Sequence, residues 1–258
     1  MKTNIALRIA AFAAAVFLPF VSIAAEPALI GHWKLDDKDS DGAIDSSPSK
    51  NHGKVANKPG RSAGKIGGAF QFNGKDAHIE IPNSEPLDKL QAGSYSLAAW
   101  FKPANAPPGT DDANDAQYGI VIKTGWHEGL SYGNDKKFTM THWLKGDGDP
   151  VWKGIGTWEE EFEPGSWYHL VGVVDTEENV VRIYVDGELK KTSESWESDA
   201  KARDYEQQTW KIGVAAPGSD RYAWNANGAI DDVRIYKGTL SEEQVRAIYE
   251  AGAAGKDK

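Results

Sequence analysis

The chain contains no cysteine, which removes several classes of function at once. Without thiols there is no disulfide framework, no thiolate metal site and no cysteine nucleophile. Basic residues are also outnumbered, since 29 Lys and Arg stand against 38 Asp and Glu and leave a formal net charge of −9. An acidic chain without a basic stripe repels polyphosphate, so nucleic acid is excluded as a partner.

Long apolar runs are absent except at the N-terminus. There Lys2 and Arg8 precede an apolar stretch at 9–21, and small residues follow it. This order predicts a secretory signal peptide over residues 1–25. A membrane anchor is the alternative, but the stretch is shorter than the ~20 residues that a spanning helix needs. We therefore expect a secreted protein, extracellular or periplasmic, with no membrane span in the mature chain.

After residue 25 the sequence consists of short alternating runs bounded by Gly, Asn, Asp and Pro, which is the pattern of strands and turns. Asn73-Gly74 and Asp186-Gly187 add hairpin turn signals. The predicted fold class is all-β, a two-sheet antiparallel β-sandwich or jelly roll. The predicted strands lie at 30–35, 69–72, 78–81, 95–102, 119–123, 138–144, 167–174, 180–185, 188–191, 210–214 and 229–236.

The C-terminus changes to helical spacing. Ser241 is a plausible N-cap, and Gln244 stands where it would complete a capping box. Gly252 is predicted to end the helix. We expect a short C-terminal α-helix on an edge or end of the sandwich, a single domain over 26–252 and a flexible tail over 253–258.

Several segments follow one another in a recognisable order. In that order they resemble the laminin-G-like jelly-roll family within the concanavalin A-like lectin and glucanase superfamily, over essentially all of the mature chain. A fold does not imply a function, so the resemblance implies the architecture first. The segments are GHWKLDD (31–37), the turns at 45–47 and 51–53, 67–82, YSLAAWFKP (95–103), 166–175, 181–190 and 228–249.

Two adjacent aspartates, Asp231 and Asp232, stand in the predicted last strand, where neighbouring side chains point to opposite faces. An unpaired buried carboxylate is too costly to persist. Either a cation lies beside these residues or this part of the sheet is solvated. In the solvated case one aspartate binds backbone or pairs with Lys34 or Arg234.

The resemblance implies the cation. In related domains a structural calcium ion ties the first strand to the last, bound by acidic residues from both ends and a carbonyl from an early hairpin. The matching residues here are Asp36, Asn73 or Gly74, and Asp231. Asp232 could take the place of Asp231, because the strand register is not determined by the sequence. Carboxylate and carbonyl oxygens are the ligands that calcium prefers.

Six aromatic residues outside the family pattern are interleaved with Asn, Asp, Gly and His. Flat aromatic faces beside amide and carboxylate groups are what sugar rings select, because apolar C–H faces stack and hydroxyls form hydrogen bonds. The alternative is that most of these side chains pack in the core or in loops. We assign Trp126, Trp143, Trp152, Tyr222 and Trp224 to a predicted carbohydrate site, and Trp158 is the sixth residue of the set.

The sequence offers little support for catalysis. No strand carries the alternating acidic pattern of the superfamily's retaining glucanases, and neither G-x-S-x-G nor H-E-x-x-H occurs. A lyase site would need His127 or His142 beside Arg221-Tyr222, and no family motif supports that grouping. Glu159-Glu160-Glu161 is interpreted as an exposed turn. We therefore predict that the protein is not an enzyme.

The predicted function is non-catalytic recognition of an extracellular glycan or glycoprotein by a calcium-stabilised domain. A structural or adhesion domain that contacts another protein is the alternative. A polysaccharide hydrolase or lyase is the third reading.

Overall fold

The computed structural model describes residues 26–37, 42–109, 116–123, 128–146, 149, 151–197, 199–203, 208–219 and 223–255. The predicted signal peptide lies outside these ranges. The strands are β1 (Ala28–Trp33), β2 (Gly42–Ala43), β3 (Gly53–Ala56), β4 (Gly60–Ala63), β5 (Gly68–Asn73), β6 (His78–Ile81), β7 (Tyr95–Pro103), β8 (Gln117–Lys123), β9 (Glu128–Gly133), β10 (Phe138–Thr141), β11 (Trp143–Leu144), β12 (Val151–Trp152), β13 (Ile155–Gly156), β14 (Tyr168–Asp175), β15 (Val180–Val185), β16 (Glu188–Thr192), β17 (Trp210–Ile212) and β18 (Asn227–Lys237). The helices are α1 (Glu85–Asp88) and α2 (Glu242–Ala253), and a 3-10 turn spans Leu90–Ala92.

Two eight-stranded antiparallel sheets form a sandwich, which confirms the predicted fold class. Sheet 1 runs β16-β15-β14-β7-β18-β5-β4, and β1 also pairs with β18. Sheet 2 runs β13-β10-β9-β8-β17-β6-β3-β2, and β11 and β12 form a short separate ribbon. Strands β7 and β18 therefore lie in the middle of sheet 1, while β13 is an edge strand of sheet 2.

The core lies between the two sheets, where alternate residues of each strand meet. Phe70 and Phe72 of β5 and Leu97 of β7 face Ile79 of β6 and Trp210 of β17, and all five are fully buried. Burial of side chains of this size contributes about 1.5–3 kcal/mol each. The period-two pattern of the sequence thus places one apolar face of each sheet against the other.

Helix α2 begins as predicted and ends later than predicted. Ser241 accepts a hydrogen bond from the Gln244 N–H, and the Gln244 side chain completes the capping box. Gly252 does not stop the helix, because the helix continues to Ala253. A Cβ on Gly252 would lie 2.6 Å from Nε1 of Trp100, so glycine is needed there for close packing on sheet 1. Neither helix of the described chain is long and apolar enough to span a membrane.

Gly252→Ala is expected to lower stability although alanine is the better helix former by about 1 kcal/mol. The added methyl group would press on buried Trp100, and overpacking of this kind costs about 1–3 kcal/mol. Urea denaturation measures the change. Gly93→Ala is the matched control, because nothing lies within 4 Å of its added Cβ. Equal stability of the two variants would show that the helix moves freely on the sheet.

Candidate functional site

Asp231 and Asp232 lie where strand β18 changes neighbours. On one edge, residues 227–230 of β18 pair with β5, and residues 233–237 pair with β1. On the other edge the register with β7 shifts between Asp231 and Arg234, and Asp232 has a φ of 48°. A β-bulge interrupts the alternation of a strand. Both carboxylates are therefore buried, with exposed fractions of 0% and 3%, and the edge is not solvated.

Asp232 is compensated by protein groups. Its Oδ1 lies 2.6 Å from Nε2 of His32 and accepts hydrogen bonds from Arg234 at 3.1 and 3.2 Å. Burial opposes ionisation, but the His32 hydrogen bond and the Arg234 charge outweigh it and hold the pKa of Asp232 below its ordinary value. The predicted pairing with Arg234 is therefore found at Asp232, and this carboxylate has a structural partner.

Asp231 is only partly compensated. Its Oδ2 accepts a hydrogen bond of 2.8 Å from the Ile66 N–H, while no described residue gives its Oδ1 a hydrogen bond. Burial, with smaller contributions from the negative charges of Asp232 and Asp36, raises the pKa of Asp231 to about 7. Asp231 is thus a buried carboxyl group with one unused oxygen.

Asp36 approaches the same place from the other end of the chain. Its Oδ1 accepts a hydrogen bond from the Gly68 N–H. A Cβ on Gly67 would collide with that carboxylate, and a Cβ on Gly64 would lie 2.6 Å from Oδ2 of Asp231. The glycine-rich loop 64–68 between β4 and β5 therefore has room for two acidic side chains that are far apart in sequence.

Asn73 and Gly74 do not join this pair. Asn73 is paired with Asn227 at the far end of β5, and its Oδ1 accepts hydrogen bonds from the N–H groups of Lys75 and Asp76. The length of β5 separates Asn73 from the loop by about 17 Å at ~3.3 Å per residue. The loop 64–68, rather than the hairpin at Asn73, supplies the early segment beside Asp231.

The predicted aromatic residues are divided among several places. Trp126 and Tyr222 lie outside the described residues. Trp224 is half-buried with a φ of 49°, and its carbonyl accepts a hydrogen bond of 2.8 Å from the Gly119 N–H, which holds its loop on β8. Trp143 is half-buried and pairs directly with Trp152.

Trp143 and Trp152 belong to one long hairpin. Thr139 pairs with Gly156, Met140 with Ile155 and Trp143 with Trp152, so β10–β11 and β12–β13 keep a single register. Phe138 and Met140 are buried in the core. Alternation therefore turns the intervening residues to the outer face of sheet 2. The outward positions are Thr139, Thr141 and Trp143 on one strand and Trp152, Gly154, Gly156 and Trp158 on the other.

Two tryptophans rest on the glycines of this outer face. A Cβ on Gly154 would lie within 2.6 Å of three indole atoms of Trp152, and a Cβ on Gly156 within 2.7 Å of three indole atoms of Trp158. The two residues are 45% and 44% exposed. Each indole thus has the backbone on one side and solvent on the other. We call Trp152, Gly154, Gly156 and Trp158 the tryptophan strip.

Ion pairs and one apolar anchor hold the segment after Trp158. Glu159 lies 2.9 Å from Nζ of Lys191, and Glu160 lies 3.1 Å from Nζ of Lys190. Phe162 is buried in the core. Exposed pairs of this kind contribute about 0–1 kcal/mol each, so Phe162 is the main anchor. The acidic run is exposed as predicted, but its side chains bridge to β16.

A buried polar cluster lies on the inner side of the same hairpin. Oε1 of Glu128 accepts a hydrogen bond of 2.6 Å from the Tyr95 hydroxyl and lies 3.0 Å from Nδ1 of His142. Glu128 and His142 are fully buried. His142 is therefore closed off from any substrate on the outer face. The other members of the hypothetical lyase site, His127 and Arg221-Tyr222, lie outside the described residues.

Solved structures with the same fold come from several kinds of protein. Domain 4 of AbnA, a GH43 extracellular arabinanase from Geobacillus stearothermophilus solved with arabinotriose, matches 87% of this chain and 100% of its own, with a TM-score of 0.56 and 21% identity. The binding domain of Paraclostridial Mosquitocidal Protein 1 matches 87% of this chain and 52% of its own, with a TM-score of 0.64 and 14% identity. A Trypanosoma rangeli sialidase matches 90% of this chain and 34% of its own, with a TM-score of 0.59 and 15% identity.

These likenesses show the fold alone, and the chain spans about half of the toxin domain and a third of the sialidase. No curated protein matches the sequence. The family model Laminin_G_3, described as the concanavalin A-like lectin/glucanases superfamily, matches residues 73–246. Since this range covers more than half of the chain, the protein belongs to the Laminin_G_3 family of the concanavalin A-like lectin/glucanases superfamily, which confirms the resemblance found in the sequence.

Proposed function

We propose that this protein is a secreted, non-catalytic domain that binds extracellular carbohydrate or glycoprotein on the outer face of sheet 2. The observation that carries the proposal is the tryptophan strip. Two of the five large apolar side chains that are exposed in the described chain, Trp152 and Trp158, belong to this strip. Exposed apolar groups that cluster mark binding surfaces.

The chemistry of the strip suits sugars. An indole held flat by backbone presents one apolar face for the C–H face of a sugar ring. The outward, half-buried Thr139 in the adjacent strand adds a hydroxyl of the kind that orients a ligand. A related domain was solved with arabinotriose, which supports a carbohydrate as the ligand class. The buried position of Glu128 and His142 behind the hairpin favours binding over catalysis at this face.

A structural calcium ion is the second part of the proposal. Asp36 and Asp231 would hold it, together with carbonyl oxygens of loop 64–68. The unused Oδ1 of Asp231 and the approach of the Asp36 carboxylate to the same loop fit such an ion. No group of three or more acidic, His or Cys side chains converges within the described ranges, so the remaining ligands would be carbonyls and water. When bound, calcium supplies the positive charge that an ionised Asp231 needs in its buried position.

Trp152→Ala and Trp158→Ala are each expected to reduce glycan affinity at least tenfold. Stacking is lost in both, while the half-exposed position of each ring keeps the cost to folding small. A glycan array identifies the ligand, and calorimetry measures the affinity of each variant. Ile44→Ala is the matched control. Ile44 is 57% exposed and directly follows β2, which is the edge strand of sheet 2 opposite to β13.

Unchanged glycan binding by both tryptophan variants would place the site elsewhere. Absence of binding to every glycan, with retained binding of a purified cell-surface protein, would favour the adhesion reading.

A further inference from the structure

We infer that the ligand is a neutral, linear oligosaccharide chain that lies along residues 152–158 and contacts both tryptophans of the strip at once. This inference rests on the proposed function and adds the ligand class and its orientation. It follows from four features of the hairpin. These are the alternation of its side chains, the direction in which each indole extends, the absence of charge on the strip and the two glycines.

The register of the hairpin places the four residues of the strip in one row. Gly156 faces outward because its partner Thr139 does so between the core residues Phe138 and Met140. The single register continues to Thr157, whose N–H donates to the Phe138 carbonyl at 3.0 Å. Residues 152, 154 and 156 therefore lie on the same side of one extended segment. Trp158 begins the turn that follows Thr157, and its indole returns to that side because it contacts Gly156.

The two rings lean towards each other along this row. The Trp152 indole reaches forward over Gly154, and the Trp158 indole reaches back over Gly156. The two glycines are two residues apart in an extended segment, which is about 7 Å. The rings thus lie one after the other along the strand. A single terminal sugar would cover one ring, whereas a chain of sugars covers both.

The outward positions carry no formal charge. They are occupied by Thr, Trp and Gly only, at 139, 141 and 143 and at 152, 154, 156 and 158. The first row continues at one end to Lys137, which lies 3.9 Å from a carboxylate oxygen of Asp135. At the other end it continues to the exposed Lys145, which follows Leu144 and lies outside the strip. The acid that follows Trp158 is Glu159, and it is paired with Lys191. A uronate or sulfated chain would find no cation on the strip, so the surface selects a neutral chain.

Gly154 and Gly156 allow the two indoles to lie directly against the backbone. A Cβ at 154 or 156 would fall on indole atoms at distances that real side chains do not reach. Because the rings are half-exposed, an added side chain would push them into solvent rather than strain the core. Gly154→Val and Gly156→Val therefore keep both tryptophans and remove their arrangement. Val is β-branched and suits a strand, so the backbone of the hairpin should tolerate it.

Calorimetry with defined oligosaccharides tests the inference. The probes are arabino-, xylo-, cello- and manno-oligosaccharides of one to six units, with oligogalacturonides of the same lengths as the acidic series. For at least one neutral series we expect affinity to rise at least tenfold between one and three units. The acidic series should bind at least tenfold more weakly than that neutral series.

Substitutions in the strip distinguish a loss of oligosaccharide binding from a loss of folding stability. Trp152→Ala and Trp158→Ala should each abolish the gain in affinity with chain length. Gly154→Val and Gly156→Val should do the same, with a melting temperature close to that of the wild type. Ile44→Ala keeps both rings and their arrangement and lies away from the strip, so it should retain the gain and serves as the control.

Equal affinity for a single sugar and for a six-unit oligosaccharide would show that the ligand does not lie along both tryptophans. The proposed carbohydrate binding would remain intact. Equal affinity for the acidic series would overturn the neutral class. Unchanged length dependence in folded Gly154→Val and Gly156→Val would place the chain away from the strip. Failure to bind any probe, neutral or acidic, would count against the proposed function itself and the inference with it.

Discussion

Calcium is expected to raise the melting temperature of the wild type at pH 7.5 by about 5–10 °C over its value in EDTA, and to leave Asp231→Asn unchanged. A ligand that binds only the native state at 100 times its Kd adds about 2.7 kcal/mol. For a domain of this size each kcal/mol corresponds to about 2–4 °C. Asp231→Asn removes the charge that the ion neutralises while keeping the shape of the side chain.

The metal-free protein should also depend on pH through Asp231. Burial raises the pKa of Asp231 from its ordinary value of 3.8 to about 7 in the folded chain. Between these values the native state holds a proton that the unfolded state has released. The stabilisation is therefore complete below pH ~4 and is lost as the pH rises towards 7, at up to about 1.4 kcal/mol per unit.

A second buried group acts in the opposite direction. His169 packs on Trp100, and burial lowers its pKa from 6.5 to about 3. The folded protein therefore loses stability through His169 as the pH falls below 6.5. The informative quantity is therefore the difference in unfolding free energy between wild type and Asp231→Asn in EDTA. We expect that difference to change by about 3 kcal/mol between pH 4 and pH 7.

Two results would contradict this picture. A flat difference across the pH range would mean that Asp231 is ionised and compensated without a metal. An equal calcium shift in Asp231→Asn would place the ion elsewhere. If the pH dependence appears without a calcium shift, the buried Asp231 is protonated in the folded protein. The calcium ion should then be dropped from the proposal.

Asp232→Ala is expected to cost about 3–5 kcal/mol, the range for breaking a buried ion pair by removing one partner. The substitution would leave Arg234 and His32, which are 3% and 4% exposed, without the carboxylate that lies between them. Urea denaturation of the two-state transition measures the loss. Calcium should still stabilise this variant, in contrast to Asp231→Asn, if the fold survives.

Glu159→Ala is the control for the loss of a carboxylate. Its side chain is 81% exposed, so loss of the Lys191 pair should cost no more than about 1 kcal/mol. A cost as small as this for Asp232→Ala would show that Arg234 is satisfied by other groups, such as the Tyr236 hydroxyl.

The fold was predictable because period-two alternation of apolar residues survives in most strands of both sheets. Strand β9 was missed, since its sequence EGLSYG contains two glycines and resembles a turn. Segment 151–156 was missed for the same reason. In both strands tertiary packing overrides a poor intrinsic β-propensity.

The candidate sites were less predictable because they depend on exceptions to regular structure. A bulge places Asp231 and Asp232 in two different environments, and alternation alone cannot indicate a bulge. The loop 64–68 was not associated with them, since only pairing of β5 with β18 brings it there. Trp158 belonged to the aromatic set but was not assigned to the predicted carbohydrate site. Its spacing from Trp152 in W-K-G-I-G-T-W is the signal that would have included it.

The position of β18 has a consequence for how the chain folds. Ala28 pairs with Lys237, and the same strand also pairs with β5 and β7, so sheet 1 cannot close before residues 227–237 are available. Contacts between such distant residues slow folding. The place where Asp36 meets Asp231 is then among the last to assemble. Stabilisation there should act mainly by slowing the unfolding rate rather than by speeding folding.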